Sequence, residues 1–280
     1  MFYLLKIFIQ MKILLNKSDL NEALYNISSL GFVPTMGSLH EGHISLIKKS
    51  LKECKKTIVS IFVNPKQFNN KVDYNKYPKN NKRDLIILRK LKVNFVYLPN
   101  NKDVFSIKRD FFIKLNNNEK ILCAKYRKGH FEGVISVMKQ LTNLIKPSKV
   151  FMGEKDFQQY LLVKKYIKKI LKIEIIVCKT IRENNKLAFS SRNILLKKKE
   201  FKIAGQIAKD LISFKKKLIK NKEVKKLILN KKEELKNSYN IRIEYFELRN
   251  KKDLSLSKSI KNSKLFIAYF LSKVRLIDNF

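Results

Sequence analysis

Along the first two-thirds of this 280-residue chain, short β-branched runs alternate with segments of helical periodicity, and that alternation restricts the possible fold more than any other feature. Leu20, Ala23, Leu24, Ile27 and Leu30 recur at helical spacing behind Asp19 and Glu22, which predict a capping-box start, and Gly31 predicts the stop. Residues 31–34 read as a short strand, Ile44, Leu46, Ile47 and Leu51 as a helix, and 57–63 as a buried strand that Asn64-Pro65 breaks. The order continues with a helix over 84–91, a strand over 93–98, a helix over 133–145, a strand over 149–152, a helix over 156–171 and a strand over 173–178. Such an order predicts α/β architecture, with βαβ units around a parallel sheet. In sheets of this kind ligands bind in the loops beyond the carboxyl ends of the strands.

From about Lys197 the texture changes. Two lysine-rich helical segments, 200–218 and 224–239, precede predicted strands over 241–248 and 265–272, with no proline after Pro147. The expected division is residues 1–185, holding the sheet and the ligand site, and residues 186–280, a smaller C-terminal α/β domain covering that site. Met1 to Ile9 is apolar apart from Lys6, with neither the basic lead nor the small-residue cleavage site of a secretory signal. The first ten residues read as a surplus extension, with Met11 as an alternative start. No run of about 18 uncharged apolar residues is present, so no membrane span is expected.

Charge is the loudest compositional signal: 62 Lys+Arg against 23 Asp+Glu, a formal net charge of +39. Such a balance raises the question of a nucleic-acid partner. Only nine of the 62 are arginine, however, and the lysines are scattered through nearly every segment alongside 26 asparagines. That pattern fits compositional drift, and no specific nucleic-acid partner is expected. The three cysteines, Cys54, Cys123 and Cys178, lie far apart in apolar surroundings, which predicts core residues in a reducing, cytoplasmic setting and excludes a disulfide framework.

Two of the three histidines fall in one glycine-containing turn, His40-Glu41-Gly42-His43, between a predicted strand and a helix. A helix N-terminus presents unpaired N–H groups that suit phosphate, and imidazoles there can donate to phosphoryl oxygens. Surface capping or a pair of metal ligands are equally open readings of these four residues alone. Neither a Walker loop nor a Gly-x-Gly-x-x-Gly element occurs.

The wider stretch Pro34-Thr35-Met36-Gly37-Ser38-Leu39-His40-Glu41-Gly42-His43 resembles the opening signature of the pantothenate synthetase (pantoate–β-alanine ligase) family, within the nucleotidyltransferase superfamily named for its His-x-Gly-His element. Further blocks resemble the same family in order: Ser60 to Phe68, Tyr77-Pro78 with Asp84, Gly129 to Val134, Gly153 to Gln159, Ser190 to Asn193, and Arg275 to Asn279. The resemblance implies a Rossmann-like parallel-sheet nucleotidyltransferase domain and an ATP-dependent, AMP-forming ligase that condenses (R)-pantoate with β-alanine through a pantoyl adenylate. It also implies Mg²⁺, a homodimer, and no membrane partner.

Carried over residue by residue, the resemblance assigns Met36, Gly37, Ser38, Leu39, His40, Glu41, Gly42 and His43 to the ATP site, with His43 as proton donor and His40 on the phosphates. Gly153, Glu154, Lys155 and Asp156 form a second nucleotide-binding turn, and Lys155 meets the polyphosphate. Phe189, Ser190, Ser191 and Arg192 take the leaving pyrophosphate, and Ile181 meets the adenine through its backbone. Gln67 serves pantoate and β-alanine, Gln159 serves pantoate, Asn64 helps at that end, and Asp84 serves Mg²⁺. His130 is assigned no chemistry and a structural role. Two departures stand out. Asn185-Lys186 occupies the place of an Asp-Gly turn, with Asn185 expected to take the left-handed geometry, and Phe189 replaces a smaller apolar residue. Other readings are an adenylyltransferase with another acceptor, against which Gln67 and Gln159 speak, and a nucleic-acid-binding protein suggested by the charge.

Overall fold

The computed structural model describes residues 10–69, 71–105, 113–171, 173–219 and 223–280, so all but the last residue of the expected N-terminal extension lies outside the described residues. Strands β1 (Lys12–Leu14), β2 (Leu30–Thr35), β3 (Lys56–Ile61), β4 (Phe95–Tyr97), β5 (Lys149–Gly153) and β6 (Glu174–Cys178) form one parallel sheet in the order β1-β4-β3-β2-β5-β6. Helices α1 (Lys17–Leu24), α2 (Glu41–Glu53), α3 (Lys71–Asn75), α4 (Asn81–Lys90), α5 (Asn101–Phe105), α6 (Leu122–Tyr126), α7 (His130–Ile145) and α8 (Phe157–Leu171) are interleaved with these strands. No helix among the described residues is long and apolar enough to cross a membrane.

The period-2 geometry of a strand sends neighbouring side chains to opposite faces. Phe32, Ile58 and Val150 therefore pack with Leu20 of α1, Ile135 of α7 and Val163 of α8. Their neighbours Val33, Val59 and Phe151 pack on the other face with Ile47 of α2 and Leu88 of α4. Helices thus cover both faces, which is why these strands read as continuous apolar runs.

Several boundaries differ from expectation for local reasons. α1 starts a few residues before the expected Asp19, because Asn16 is its cap: Asp19 N–H donates to Asn16 Oδ1 (2.9 Å) and Leu15 N–H to Asp19 Oδ2 (2.9 Å). β2 continues through Pro34 to Thr35. Its pairing with β3 runs the whole length, whereas its pairing with β5 covers only Gly31 and Phe32. Pro34, with no N–H to give, lies where β2 and β5 have parted. The three-residue edge strand β1 is an element the sequence did not announce.

Beyond β6, α9 (Lys198–Ile219) and α10 (Val224–Tyr239) precede an antiparallel sheet of β7 (Arg242–Asn250), β8 (Ser263–Leu271) and β9 (Val274–Asn279), in the order β7-β8-β9. One face of this sheet packs on α9 and α10 through Phe246, Leu265 and Ile267. The other, through Tyr245, Phe266 and Ala268, joins the core that also holds Phe157 and Tyr160 of α8. The expected division at residue 186 falls inside a hairpin closed by the Arg182–Ala188 bridge. In that hairpin Lys186, not Asn185, is left-handed (φ 77°). Asn185 is held instead by its side chain, which donates to Phe201 O (3.1 Å) and accepts from Leu187 N–H (3.1 Å), against Gly205 of α9.

Candidate active site

The crevice opens where β2 and β5 part, at the change of winding direction in the sheet. A cavity of about 260 Å³ lies there, walled by the loops after both strands, the start of α7, the 181–193 segment and β9.

α2 begins at Glu41 with His40 as its cap residue, and no side chain caps it. Its first amides are therefore left for a ligand, with the positive end of the helix behind them. The His40 and His43 rings stack with centroids 4.0 Å apart, and Phe189 stacks on His40 at 6.1 Å. A Cβ on Gly42 would lie 2.8 Å from His40 Cε1, so glycine is what lets the ring fold back over the helix start. Burial, then mutual repulsion and the charge of Lys155, push His40 down to about 2, and burial followed by Lys155 pushes His43 to about 4. Both imidazoles are neutral near pH 7, and the Nδ1 of each is buried without a hydrogen-bond partner.

The preceding loop is held from behind. Gly37 and Ser38 both have positive φ (79° and 51°). The fully buried Asp84 accepts from Ser38 N–H (2.7 Å) and Leu39 N–H (2.8 Å), one on each oxygen. Ser191 Oγ donates to Ser38 O (3.2 Å) from the opposite wall. This corrects the metal role expected of Asp84: both carboxylate oxygens are engaged by backbone, and the residue lies outside the cavity lining. Ser38, Leu39, Gly37 and Glu41 are likewise absent from that lining, whereas Met36, His40, Gly42 and His43 belong to it.

At the second loop, Gly153, Lys155 and Asp156 line the cavity, with Lys155 Nζ 3.7 Å from Asp156 Oδ1. Glu154 turns its carboxylate away to Lys264 (3.0 Å) and is absent from the cavity lining. Asn279 Nδ2 donates to Glu154 O (2.9 Å) and Lys155 O (2.8 Å), so β9 fixes this turn. Asp278 beside it receives both terminal nitrogens of Arg182 (2.6 and 2.9 Å), tying the 181–189 hairpin to the same strand. Ile181, Phe189, Ser190, Ser191 and Arg192 all line the cavity. Ile181 O accepts from Phe189 N–H (3.1 Å), which leaves the Ile181 N–H as the group available to a base edge. The Arg192 guanidinium rests on both oxygens of Asp73 (3.2 and 3.0 Å).

Gln67 and Gln159 both line the cavity. Gln67 Nε2 donates to Met36 Sδ (2.7 Å), which joins the glutamine to the first loop. Asn64 is buried outside the lining; its Nδ2 donates to Gly133 O (3.0 Å) and Gln67 Oε1 (3.4 Å). It positions Gln67 and does not itself face the cavity, a correction to its expected contact. His130 Nδ1 lies 2.7 Å from Gln67 O and its Nε2 2.8 Å from Arg127. An arginine only donates, so Nε2 accepts and Nδ1–H donates. Burial, reinforced by Arg127, pushes His130 to about 3. The structural role expected of it is what these contacts describe.

Sequence reasoning missed Arg127 and did not single out Arg275, both of which line the cavity. The signal was present: among 62 basic residues only nine are arginine, so an arginine marks a place where a rigid planar donor is used.

Comparison with known proteins gives a consistent result. A family model described as pantoate-beta-alanine ligase matches residues 12–280. A pantothenate synthetase of Leptospira interrogans is 41% identical over 256 residues, covering 89% of each chain. Among solved structures, a pantoate-beta-alanine ligase (pantothenate synthetase) from Thermus thermophilus superimposes with TM-score 0.90 at 28% identity, covering 97% of this chain and 99% of that one. A pantoate-beta-alanine ligase from Francisella tularensis, complexed with beta-gamma ATP and beta-alanine, gives TM-score 0.80 at 35% identity and 97% coverage of both chains.

Proposed function

This chain belongs to the pantoate–β-alanine ligase family, and from that premise we propose how its cavity carries out the reaction. The activity is the ATP-dependent condensation of (R)-pantoate with β-alanine to pantothenate, AMP and pyrophosphate. In the first step a pantoate carboxylate oxygen attacks the α-phosphorus of ATP, the bond to the β-phosphate oxygen breaks, and pyrophosphate leaves. In the second, the β-alanine nitrogen attacks the acyl carbon of the adenylate, AMP departs with the electron pair, and the nitrogen gives up a proton.

The observation that carries this reading is the convergence of two strand-end loops, one cationic and one amide-lined, on a single cavity. ATP lies with its phosphates over the start of α2 and beside Lys155, and its adenine near Ile181 and Phe189. His40 and His43, neutral in the fold, act as hydrogen-bond donors and acceptors to phosphoryl oxygens rather than as cations. The positive charge comes from Lys155 and from Arg192, whose pairing with Asp73 exchanges for the leaving pyrophosphate. Gln67 and Gln159 take the hydroxyls and carboxylate of pantoate, since an amide both donates and accepts. Substrate positioning and charge stabilisation account for the rate, and no protein nucleophile is required.

The side chains present do not form a cage for Mg²⁺. Among the described residues no three carboxylate, imidazole or thiol groups converge, and Asp84 is committed to backbone. Mg²⁺ would enter with the phosphates of ATP, whose oxygens suit it, and Asp156 is a carboxylate of the cavity lining that could add a ligand. The division into residues 1–185 and 186–280 belongs to the same proposal, with β9 and the 186–193 segment covering the site. A homodimer and a cytoplasmic setting are part of the same proposal, and three free buried cysteines agree with a reducing compartment.

The test is isotope exchange between pyrophosphate and ATP with Mg²⁺ present and β-alanine omitted. Exchange that requires pantoate is expected. A folded, ATP-binding protein that shows none would overturn the two-step reading.

A further inference from the structure

Three guanidinium groups line the cavity: those of Arg127, Arg192 and Arg275. Arg192 rests on Asp73, and Arg275 is paired with Glu244 at 2.7 Å. Arg127 has no carboxylate within ion-pair distance among the described residues; its hydrogen bond is to the neutral ring of His130 (2.8 Å). It is largely buried, and burial, then the fields of Arg192 and Arg275, lower its pKa to about 10 against the opposing influence of Cys123 and Asp73. A buried charge without a counter-ion is unfavourable, and a ligand that brings an anion to it relieves that cost.

Position narrows the choice of anion. Arg127 borders both the main cavity and a second, small pocket, which it shares with His130, Lys155, Gln159 and the carboxylates of Asp156 and Asp278. It is also oriented by a chain that ends at the pantoate side: His130 accepts from Arg127 at Nε2 and donates from Nδ1 to Gln67 O (2.7 Å). The polyphosphate has its own partners in the α2 amides, Lys155 and Arg192. The pantoate carboxylate has to reach the α-phosphorus, and a guanidinium gripping it would restrain the nucleophile. One carboxylate in the reaction stays ionised throughout and needs a fixed place while the amine beside it reacts.

We infer that Arg127 receives the carboxylate of β-alanine, and so selects a short amino acid over a plain amine in the second half-reaction. This rests on the ligase reading above. Two methylene groups separate that carboxylate from the attacking nitrogen, so anchoring it next to Gln67 and Gln159 directs the nitrogen toward the acyl carbon held there. The carboxylate itself takes no part in bond changes.

The experiment compares the unsubstituted protein with Arg127→Met and Arg127→Lys in two assays: pantoate-dependent pyrophosphate–ATP exchange, which contains no β-alanine, and the full reaction with β-alanine or n-propylamine as acceptor. Loss of a charge-assisted bidentate contact predicts a KM for β-alanine raised about 50-fold in Arg127→Met and about tenfold in Arg127→Lys. The preference for β-alanine over n-propylamine is expected to fall by a similar factor in Arg127→Met, a change that mere loosening of the fold does not produce. An unchanged KM for β-alanine in either variant overturns the assignment, and so does a loss of exchange that follows a raised KM for pantoate. If Arg127→Met does not fold, Arg127→Lys decides by the same criteria. Absence of exchange in the unsubstituted protein sinks the ligase reading instead, so the two failures are told apart.

Discussion

Asp84 shows how one buried carboxylate can fix a catalytic loop without touching a substrate. Its two oxygens take two consecutive N–H groups of a turn whose residues 37 and 38 sit at positive φ. Asp84→Asn presents an amide NH₂ where one of those N–H groups needs an acceptor, and an unsatisfied buried donor costs about 1–3 kcal/mol. The expected result is a destabilisation of about 2 kcal/mol in urea unfolding, with a raised KM for ATP and an unaltered Mg²⁺ requirement. A shift in the Mg²⁺ titration without loss of stability would instead restore Asp84 as a metal ligand. At this scale contiguous stretches were the ones whose expected residues the structure gathers round the cavity, as with His40, Gly42 and His43 and with Ser190 to Arg192. The sequence reading and the structure part at Asn64, Asp84 and Glu154, where a side chain inside a matched block reaches not a ligand but a distant backbone or a lysine 110 positions away. Nothing in local spacing encodes such a reach.

Among the elements, the meeting of α7 with the 3-10 turn Pro65–Gln67 sets the substrate end of the cavity. Gly133 lies against the backbone of Lys66, and a Cβ there would overlap the Lys66 carbonyl, which cannot swing aside as a side-chain end does. Gly133→Ala is expected to push α7 off this turn, which displaces Gln67 together with Asn64 and His130, its two anchors. A loss of about 2–3 kcal/mol of stability is the expected size for overpacking at such a contact. Raised KM values for pantoate and β-alanine, with the KM for ATP nearly unchanged, are expected in kinetics. Equal effects on all three would show that the element does not separate the subsites. The long helices and buried strands were readable because their apolar periods are sustained. β1 was not, at three residues on a sheet edge, and β9 was visible only as a block of matching residues, since Val274 to Asn279 is too short a run to distinguish strand from loop.

Over the whole molecule, the histidines make stability depend on pH in one direction. His40, His43 and His130 titrate at about 2, 4 and 3 in the fold, against 6.5 in the unfolded chain. Between those values the unfolded chain binds protons that the folded one refuses. The contribution is therefore fully present above pH 6.5 and is lost as pH falls from 6.5, down to about 4 for His43, about 3 for His130 and about 2 for His40. Each such histidine removes up to about 1.4 kcal/mol per pH unit in that window. Asp278, whose pKa burial raises, partly offsets this in the acid range because its folded form takes up a proton early. Urea unfolding at pH 7.5 and 5.5 is expected to show a marked fall in stability, and His130→Gln a fall smaller by one histidine's share. Equal stability at the two pH values would refute the neutral, buried state of these rings. The net charge of +39 adds to acid sensitivity, because each further proton joins an already repelling surface.

The peptide group joining Ser38 to Leu39 is gripped from two sides, its Leu39 N–H by Asp84 and its Ser38 C=O by Ser191. Asp84 holds the loop leading into α2 from behind, and Ser191 belongs to the segment proposed to take the pyrophosphate. A ligand that tightens one wall therefore acts on the other through a single shared amide plane, and linkage requires the influence to be mutual. If pyrophosphate binds beside Ser190 to Arg192 as proposed, it alters the hold on an adenylate by the same factor as the adenylate alters the hold on pyrophosphate. The affinity of the site for either product in the presence of the other is then set by one coupling constant.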